Sequence, residues 1–351
     1  MNDNVEGSAL DTLRRHAPAR MIDVARLAGV SQQTVSRVVN GHSNVAPEVR
    51  ERVEQAIAQL RYRRNAAARS LVTKRSMNLG VVTYGLDRHG PSVALNGIVE
   101  AARSNGYATS LVSLAAPDRA GIRSAIDHLV DDSVDGVIVL AAVEAAVDTA
   151  AGIDVGVPVV VFAPSVSGPD TFAADEVLGA RLATEHLLSL GHHTVVHLTG
   201  PADWLATRAR TQGWWSALTA ANRPVPEPIS TSWDAPSGYE AARRVLERGG
   251  VTAVFAANDQ TALGLMRGLA DAGVRVPEDI SVVGFDDFPE AEYFSPPLTT
   301  VRVDFAEIGR NAVATLLDRL NGREPGNSGM IQPHLILRSS TTSPPKAADD
   351  E

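Results

Sequence analysis

Apolar positions are spaced in two different ways along this chain, and the change from one to the other divides it. Up to about residue 62 they recur at helical intervals. Val24, Ala25 and Leu27 give a first short helix an apolar side, and Val35, Val38 and Val39 do the same for a second. A third is entered at Pro47, a favoured first-turn residue, and runs to about Tyr62 on Val49, Val53, Ile57 and Leu60. From Leu79 onward the pattern becomes short continuous apolar runs separated by amphipathic stretches. Leu79–Val82, Ala108–Leu114, Val134–Leu140, Pro158–Phe162, Val195–Leu198, Ala253–Ala256 and Ile280–Gly284 read as strands. Val93–Ser104, Ile122–Val130, Gly179–Leu190, Arg208 to about Asn222, Gly238–Arg248 and Gln260–Ala272 read as helices. Uninterrupted runs such as Val159-Val160-Val161-Phe162 suit parallel strands buried on both faces. The alternation predicts an α/β body of doubly wound sheets, with too many strands for one small sheet. Two Rossmann-like subdomains are expected.

The polar positions of the first two helices carry the chemistry of the N-terminal part. Gly29 stands where a tight turn between helices needs a left-handed residue. Ser31 is placed to cap the second helix, which leaves Gln32, Gln33 and Arg37 on its early, outward surface. A recognition helix presents such side chains to base edges in the major groove. The bland alternative is a helical hairpin with a solvated polar face.

Charge separates the two readings. The whole chain has a formal net charge of −9, yet residues 20–75 hold 11 Lys+Arg against 4 Asp+Glu, a net of +7. A basic head on an acidic body is what a protein with one DNA-facing end should show. There is no cysteine, so a disulfide framework and thiolate metal sites are excluded. No apolar run approaches the ~20 residues that cross a bilayer, and the polar start, residues 1–19, reads as a disordered leader without a signal-peptide core. A cytoplasmic protein is expected. Gly191-His192-His193 with His197 reads as a turn and strand start rather than a metal site. No Gly-rich phosphate loop, serine elbow or paired catalytic constellation is evident, so neither a cofactor nor an enzyme is expected.

After the third helix comes Tyr62-Arg63-Arg64-Asn65-Ala66-Ala67-Ala68-Arg69-Ser70-Leu71, basic and alanine-rich. With it the chain resembles the lactose-repressor (LacI/GalR) family of bacterial transcriptional regulators. The resemblance continues through Gly200-Pro201, Arg208, Gly213-Trp214, Ala257-Asn258-Asp259-Gln260-Thr261-Ala262-Leu263-Gly264, the run Pro277 to Asp287, and Pro296-Pro297-Leu298-Thr299-Thr300-Val301. It implies a helix-turn-helix headpiece over 20–64 and a hinge helix over 65–76, whose Leu71 wedges into the minor groove. It also implies a periplasmic-binding-protein-like core over 77–343, followed by a tail over 344–351. In that core an N-subdomain takes about 77–174 and 305–331, and a C-subdomain about 175–304 and 332–343. The resemblance implies a homodimer on double-stranded operator DNA, with Gln32, Gln33 and Arg37 on bases and Ser31, Thr34, Asn40 and Asn44 fixing register on phosphates. The missing leucine-heptad extension after Thr342 favours a dimer over a tetramer.

Ligands of open α/β sheets bind beyond the carboxyl ends of the strands. Asn258 follows one predicted strand, Asp286 another, and Arg208 a third, so topology brings them towards one crevice. The resemblance assigns these three to effector contacts and Trp233 to stacking on the effector. Trp204 would form a second platform, while Tyr84 and Pro91 would close the cleft from the other subdomain. Asp259 is read as a helix cap, Asp287 as a turn cap, and Trp214 and Trp215 as packing residues. Indole faces and hydroxyl-binding groups together point to a mono- or disaccharide effector. Ala163 and Val303 depart from acidic and amide contacts of lactose-type relatives, and Arg20 and Arg64 replace a helix cap and a hinge proline. The function the resemblance implies is an effector-controlled regulator that acts as a repressor in the family's usual manner. Alternatives are a sugar-binding protein with no DNA role, or a regulator answering to a purine or sugar phosphate.

Overall fold

The computed structural model describes residues 19–62, 75–164, 170–324 and 330–346. It divides into two compact units, Met1–Ser76 and Met77–Glu351. Leu71 and most of the expected hinge lie outside the described residues.

The first unit holds α1 (Met21–Ala28), α2 (Gln32–Val39) and α3 (Pro47–Leu60). Arg20 replaces a hydroxyl cap on α1, but the Asp23 carboxylate accepts its backbone N–H at 2.9 Å, closing the first turn from the other side. Gly29 ends the helix at φ 66°, and Val30 N–H returns to the Ala25 carbonyl at 3.0 Å. The small core comprises Val24, Ala25, Ala28, Val35, Val38, Val53 and Ala56. Leu27, expected inside, is 47% exposed. At 100° per residue Val24, Ala25 and Ala28 cluster on one side, and Leu27 falls more than a quarter-turn from their centre.

The body has two parallel sheets. The first takes β1 (Asn78–Tyr84), α4 (His89–Ser104), β2 (Ala108–Leu114), α5 (Arg119–Asp131), β3 (Gly136–Leu140), α6 (Glu144–Ala151), β4 (Val159–Phe162) and β5 (Thr171–Phe172). Its strand order is β2-β1-β3-β4-β5. The second takes α7 (Glu176–Ser189), β6 (Val196–Thr199), α8 (Leu205–Ala220), β7 (Ile229–Ser230), α9 (Ala235–Glu247), β8 (Ala253–Ala256), α10 (Asp259–Asp271) and β9 (Ser281–Val283). Its order is β7-β6-β8-β9. In each sheet the order reverses beside the first strand, which opens a crevice beyond the carboxyl ends.

The chain passes between the subdomains three times. At the first and third crossings Ala174 and Ile331 bridge in parallel, and Asp175 N–H reaches the Ile331 carbonyl at 3.0 Å. The second runs through β10 (Thr300–Arg302), which pairs antiparallel with β11 (His334–Ile336). Between them α11 (Phe305–Leu320) returns to the first subdomain and packs on α4. Two glycines allow that approach. A Cβ at Gly97 would stand 2.4 Å from the Ala306 carbonyl oxygen, and one at Gly309 would stand 2.2 Å from that of Ala94. The second chain end joins the second sheet, where Val282 N–H donates to the Ser340 carbonyl at 2.8 Å.

The histidines serve this packing. His192 bonds Thr252 and the Thr342 carbonyl, and His197 stacks on Phe255 at 4.6 Å with its Nδ1 on the Phe255 carbonyl. Among the described residues no group of His, Cys, Asp and Glu could hold a metal ion, and no helix is long and apolar enough to cross a membrane.

Overfilled contacts cost about 1–3 kcal/mol. Gly309→Val should therefore lower the unfolding free energy by about that amount, measured by urea denaturation. An unchanged midpoint would show that α4 and α11 separate freely.

Candidate functional site

Two places in the chain present unspent polar chemistry. The first is the exposed face of α2. The Ser31 hydroxyl accepts Thr34 N–H at 3.2 Å and lies 3.0 Å from the Thr34 hydroxyl, so both side chains define the helix start. Val35 and Val38 are buried below, which turns Gln32, Gln33 and Arg37 outward. Asn40 bonds the Ser36 hydroxyl at 3.2 Å beyond the last turn, and Asn44 is exposed in the loop that follows. Glutamine amides in a first turn suit adenine edges, and arginine suits guanine or phosphate.

The second place is the cleft between the two sheets. One wall, from the first subdomain, is largely apolar, with Pro91, Ala94, Leu140, Ala142 and Phe162, and carries Arg88 and His89 just before Pro91. The other offers Glu176, Arg210, Asn258 and Asp286, with Trp204 and Trp233 beside them. Phe305, on the second crossing, completes the lining.

Arg210 organises the polar wall. Its side chain is only 4% exposed. Nε donates to Glu176 at 2.6 Å, Nη2 to Asp286 at 3.0 Å, and Nη1 to the Ala257 carbonyl. The guanidinium also lies 3.8 Å from the centre of the Phe285 ring. Arg208, the expected contact, does not face the cleft. It is half-exposed and pairs with Glu144 at 2.9 Å on the outer side. Two residues along a helix is a rotation of 200°, so the two arginines occupy opposite faces. The buried positions Ala206, Ala209, Arg210, Gly213, Trp214 and Ala217 repeat at helical spacing. That periodicity, with Arg210 four residues before Trp214, is readable in the sequence and identifies the arginine on the cleft-facing side.

Asp286 and Trp233 are held in uncommon backbone conformations, φ 99° and 67°. Such positions cost roughly 1–3 kcal/mol each and persist only when their surroundings enforce them. For Asp286 the enforcement is visible. Its own N–H reaches the Val301 carbonyl at 2.8 Å, and Phe288 N–H reaches Asp259 at 2.9 Å. Asp287, also at positive φ, holds both Arg302 and Arg338 at 2.6 Å. Asp287 is thus an ion-pair centre rather than a turn cap. Asn258, not Asp259, caps α10, accepting Thr261 N–H at 2.9 Å while donating to the Trp233 carbonyl at 3.0 Å. Asp259 is buried beside Thr300, and burial raises its carboxyl well above the usual range. Gly200 makes room for the Trp233 ring, since a Cβ there would sit 2.1 Å from it.

The two indoles are less open than stacking platforms should be. Trp204 is 7% exposed, with Arg88 5.2 Å over its ring, Tyr84 at 5.7 Å and Trp233 edge-on at 5.9 Å. Tyr84 supports Trp204 from behind and does not line the cleft, whereas Pro91 does. Trp214 is buried with its N–H on the Val195 carbonyl, but Trp215, expected to pack, is 52% exposed. Ala163 and Val303 are both buried. Glu176 and Arg88 carried no sequence signal. An acid at the start of a helix ordinarily reads as a favourable end charge, and only the tertiary fold buries this one.

Burial pushes the Asp286 carboxyl up to about 7 against the attraction of Arg210, and the Glu176 carboxylate adds to the rise. A carboxyl that binds its proton more tightly in the native chain contributes stability at low pH. That contribution is fully present below about 4 and is lost as pH rises through about 7. Asp286→Asn cannot ionise. Its stability relative to wild type should therefore improve steadily between pH 4 and 7 and level off above, read from urea unfolding at each pH. A difference independent of pH would contradict this assignment.

Residues 20–65 match the profile of bacterial regulatory proteins of the lacI family, and residues 184–341 match the periplasmic binding protein-like domain. The lactose operon repressor of Escherichia coli (strain K12) is 36% identical over 334 residues, covering 93% of this chain and 92% of that protein. The HTH-type transcriptional regulator CelR of Thermobifida fusca is 35% identical over 343 residues, covering 93% and 99%. Among solved structures, the lac repressor dimer bound to operator and the anti-inducer ONPF superposes with a TM-score of 0.86. It is 35% identical, over 93% of this chain and 100% of that one. These relatives are transcription factors, not enzymes.

Proposed function

We propose, for a chain that belongs to the lacI family of bacterial regulatory proteins and is therefore a transcriptional regulator with an effector-binding domain, a specific mode of action. It represses transcription as a cytoplasmic homodimer on operator DNA, and a sugar in the cleft controls its affinity for that DNA. The observation that carries the effector reading is Arg210, buried between Glu176 and Asp286 on a cleft bordered by two indoles. Carboxylate oxygens accept from ligand hydroxyls, while the indoles and Phe305 cover the C–H faces of a ring. The cellobiose complex of the transcriptional regulator CelR supports the same ligand class. An aromatic lining also favours a planar purine, the second reading, so guanine and hypoxanthine belong in the same titration.

On DNA, Gln32, Gln33 and Arg37 read base edges, while Ser31, Thr34, Asn40 and Asn44 fix register on phosphates. Leu71 wedges into the minor groove between the half-sites. Coupling of the two sites needs no special device beyond differential affinity. An effector that binds one arrangement of the subdomains better than the other shifts the population of DNA-competent dimers.

Two experiments test this. Selection from random duplex DNA should enrich an inverted repeat, and Gln33→Ala should relax one base position per half-site at a cost of about 1–3 kcal/mol. Recovery of sequences without two-fold symmetry would reject a dimeric operator. In the second, tryptophan fluorescence is titrated with a panel of mono- and disaccharides. Arg210→Leu should weaken the responding sugar by at least about tenfold, or ~1.4 kcal/mol, while Arg208→Ala leaves it unchanged. Equal loss in both variants would reject the cleft assignment.

A further inference from the structure

We infer that Glu176 restricts this cleft to ligands that carry no negative charge, an inference that rests on the effector reading and specifies the charge of the effector. Glu176 opens α7, lines the cleft and is 1% exposed. Its carboxylate accepts from Arg210 Nε at 2.6 Å. The same guanidinium serves Asp286 through Nη2 at 3.0 Å and the Ala257 carbonyl through Nη1. One buried cation thus faces the Glu176 carboxylate, the Asp286 carboxyl and a carbonyl dipole, which leaves Arg210 no charge to spare for an incoming anion. A phosphate or carboxylate arriving there would lie against two carboxylates, or would have to take Arg210 from them and leave a buried anion unpaired. Like-charge juxtaposition of this kind is how a site rejects a wrong ligand.

What the wall does offer suits hydroxyl groups. The Trp233 indole N–H is buried without a hydrogen-bond partner, in a residue 4% exposed that lines the cleft. The Asp286 carboxyl retains acceptor capacity beyond its bond to Arg210. A neutral ligand with several hydroxyls donates to that acceptor, and it brings no charge to be desolvated. Arg88 is the other arginine of the lining, and its Nε is buried without a hydrogen-bond partner. It belongs to the first subdomain but reaches the polar wall, where Nη1 donates to the Ser232 carbonyl at 3.0 Å and the guanidinium lies over Trp204, so an anion that enters has this cation alone to meet. Burial lowers the His89 imidazole's affinity for a proton, outweighing the nearby Glu290 and Asp287.

The probe is inorganic phosphate, titrated at constant ionic strength with tryptophan fluorescence as the readout. Wild type should give no saturable response, and Glu176→Gln should bind phosphate at least about tenfold more tightly. Glu176→Asp keeps the charge and should reject phosphate as wild type does. Lactose and cellobiose compared with their anionic counterparts, lactobionate and cellobionate, give a second test on wild type alone. An anion binding wild type more tightly than its neutral parent overturns the inference, whatever the variants do. Equal phosphate binding by wild type and Glu176→Gln also overturns it. If Arg88→Ala abolishes that binding, the anion enters at Arg88 and Glu176 excludes nothing. A cleft that takes no sugar at all would defeat the effector reading separately, because the phosphate comparison does not depend on knowing the sugar.

Discussion

A guanidinium removed from water must be paired, and in this protein the pairing of Arg210 gathers the functional wall of the cleft. Its three bonds come from the start of α7, the end of β8 and the loop after β9. Without Arg210, two buried carboxylates would face each other; without either carboxylate, a buried cation would lack a counter-charge. Breaking a pair of this kind costs about 3–5 kcal/mol, which is large against the few kcal/mol that keep a domain folded. The arrangement is therefore fixed before any ligand arrives, and a fixed array of donors and acceptors is what small-molecule recognition needs.

The same array is joined to the part of the molecule that has to move. Asp286 is hydrogen-bonded to Val301 on the second crossing, and its neighbour Asp287 is paired to Arg302 on that strand. Three residues later Phe305 lines the cleft and begins α11, which lies against α4 with no room for a side chain between them. A ligand that pulls on Asp286 therefore acts on the crossing strand and, through α11, on the first subdomain. At the opposite side Arg88 spans the two walls, and Arg208 with Glu144 ties their outer surfaces. These contacts join the two walls of the cleft across its opening.

Much of this was legible beforehand, and what escaped has physical reasons. Parallel strands buried on both faces are continuous apolar runs, so Val159–Phe162 and Ala253–Ala256 stood out. The strands β5, β7, β10 and β11 are two or three residues long, too short for any periodicity, and α6 and α11 were not separated from their surroundings. Topology alone placed Asn258 and Asp286 at one crevice. It did not choose between Arg208 and Arg210, a choice that depends on which helix face is buried. Glu176 illustrates the harder limit. Its neighbours say only that it begins a helix, and its burial is created by Arg210, thirty-four residues later.

The central claim is that DNA affinity and effector affinity are two readings of one equilibrium. Its most direct test is a thermodynamic cycle on the full-length protein, using the selected operator and the sugar identified by titration. Operator dissociation constants are measured with and without saturating sugar, and sugar dissociation constants with and without saturating operator. Linkage requires the two ratios to be equal, and coupling of about 1–3 kcal/mol would make each about 5–150-fold. Two ratios of one, with both ligands bound, would mean that the headpiece and the cleft work independently, and the account of this protein as an effector-controlled regulator would be wrong.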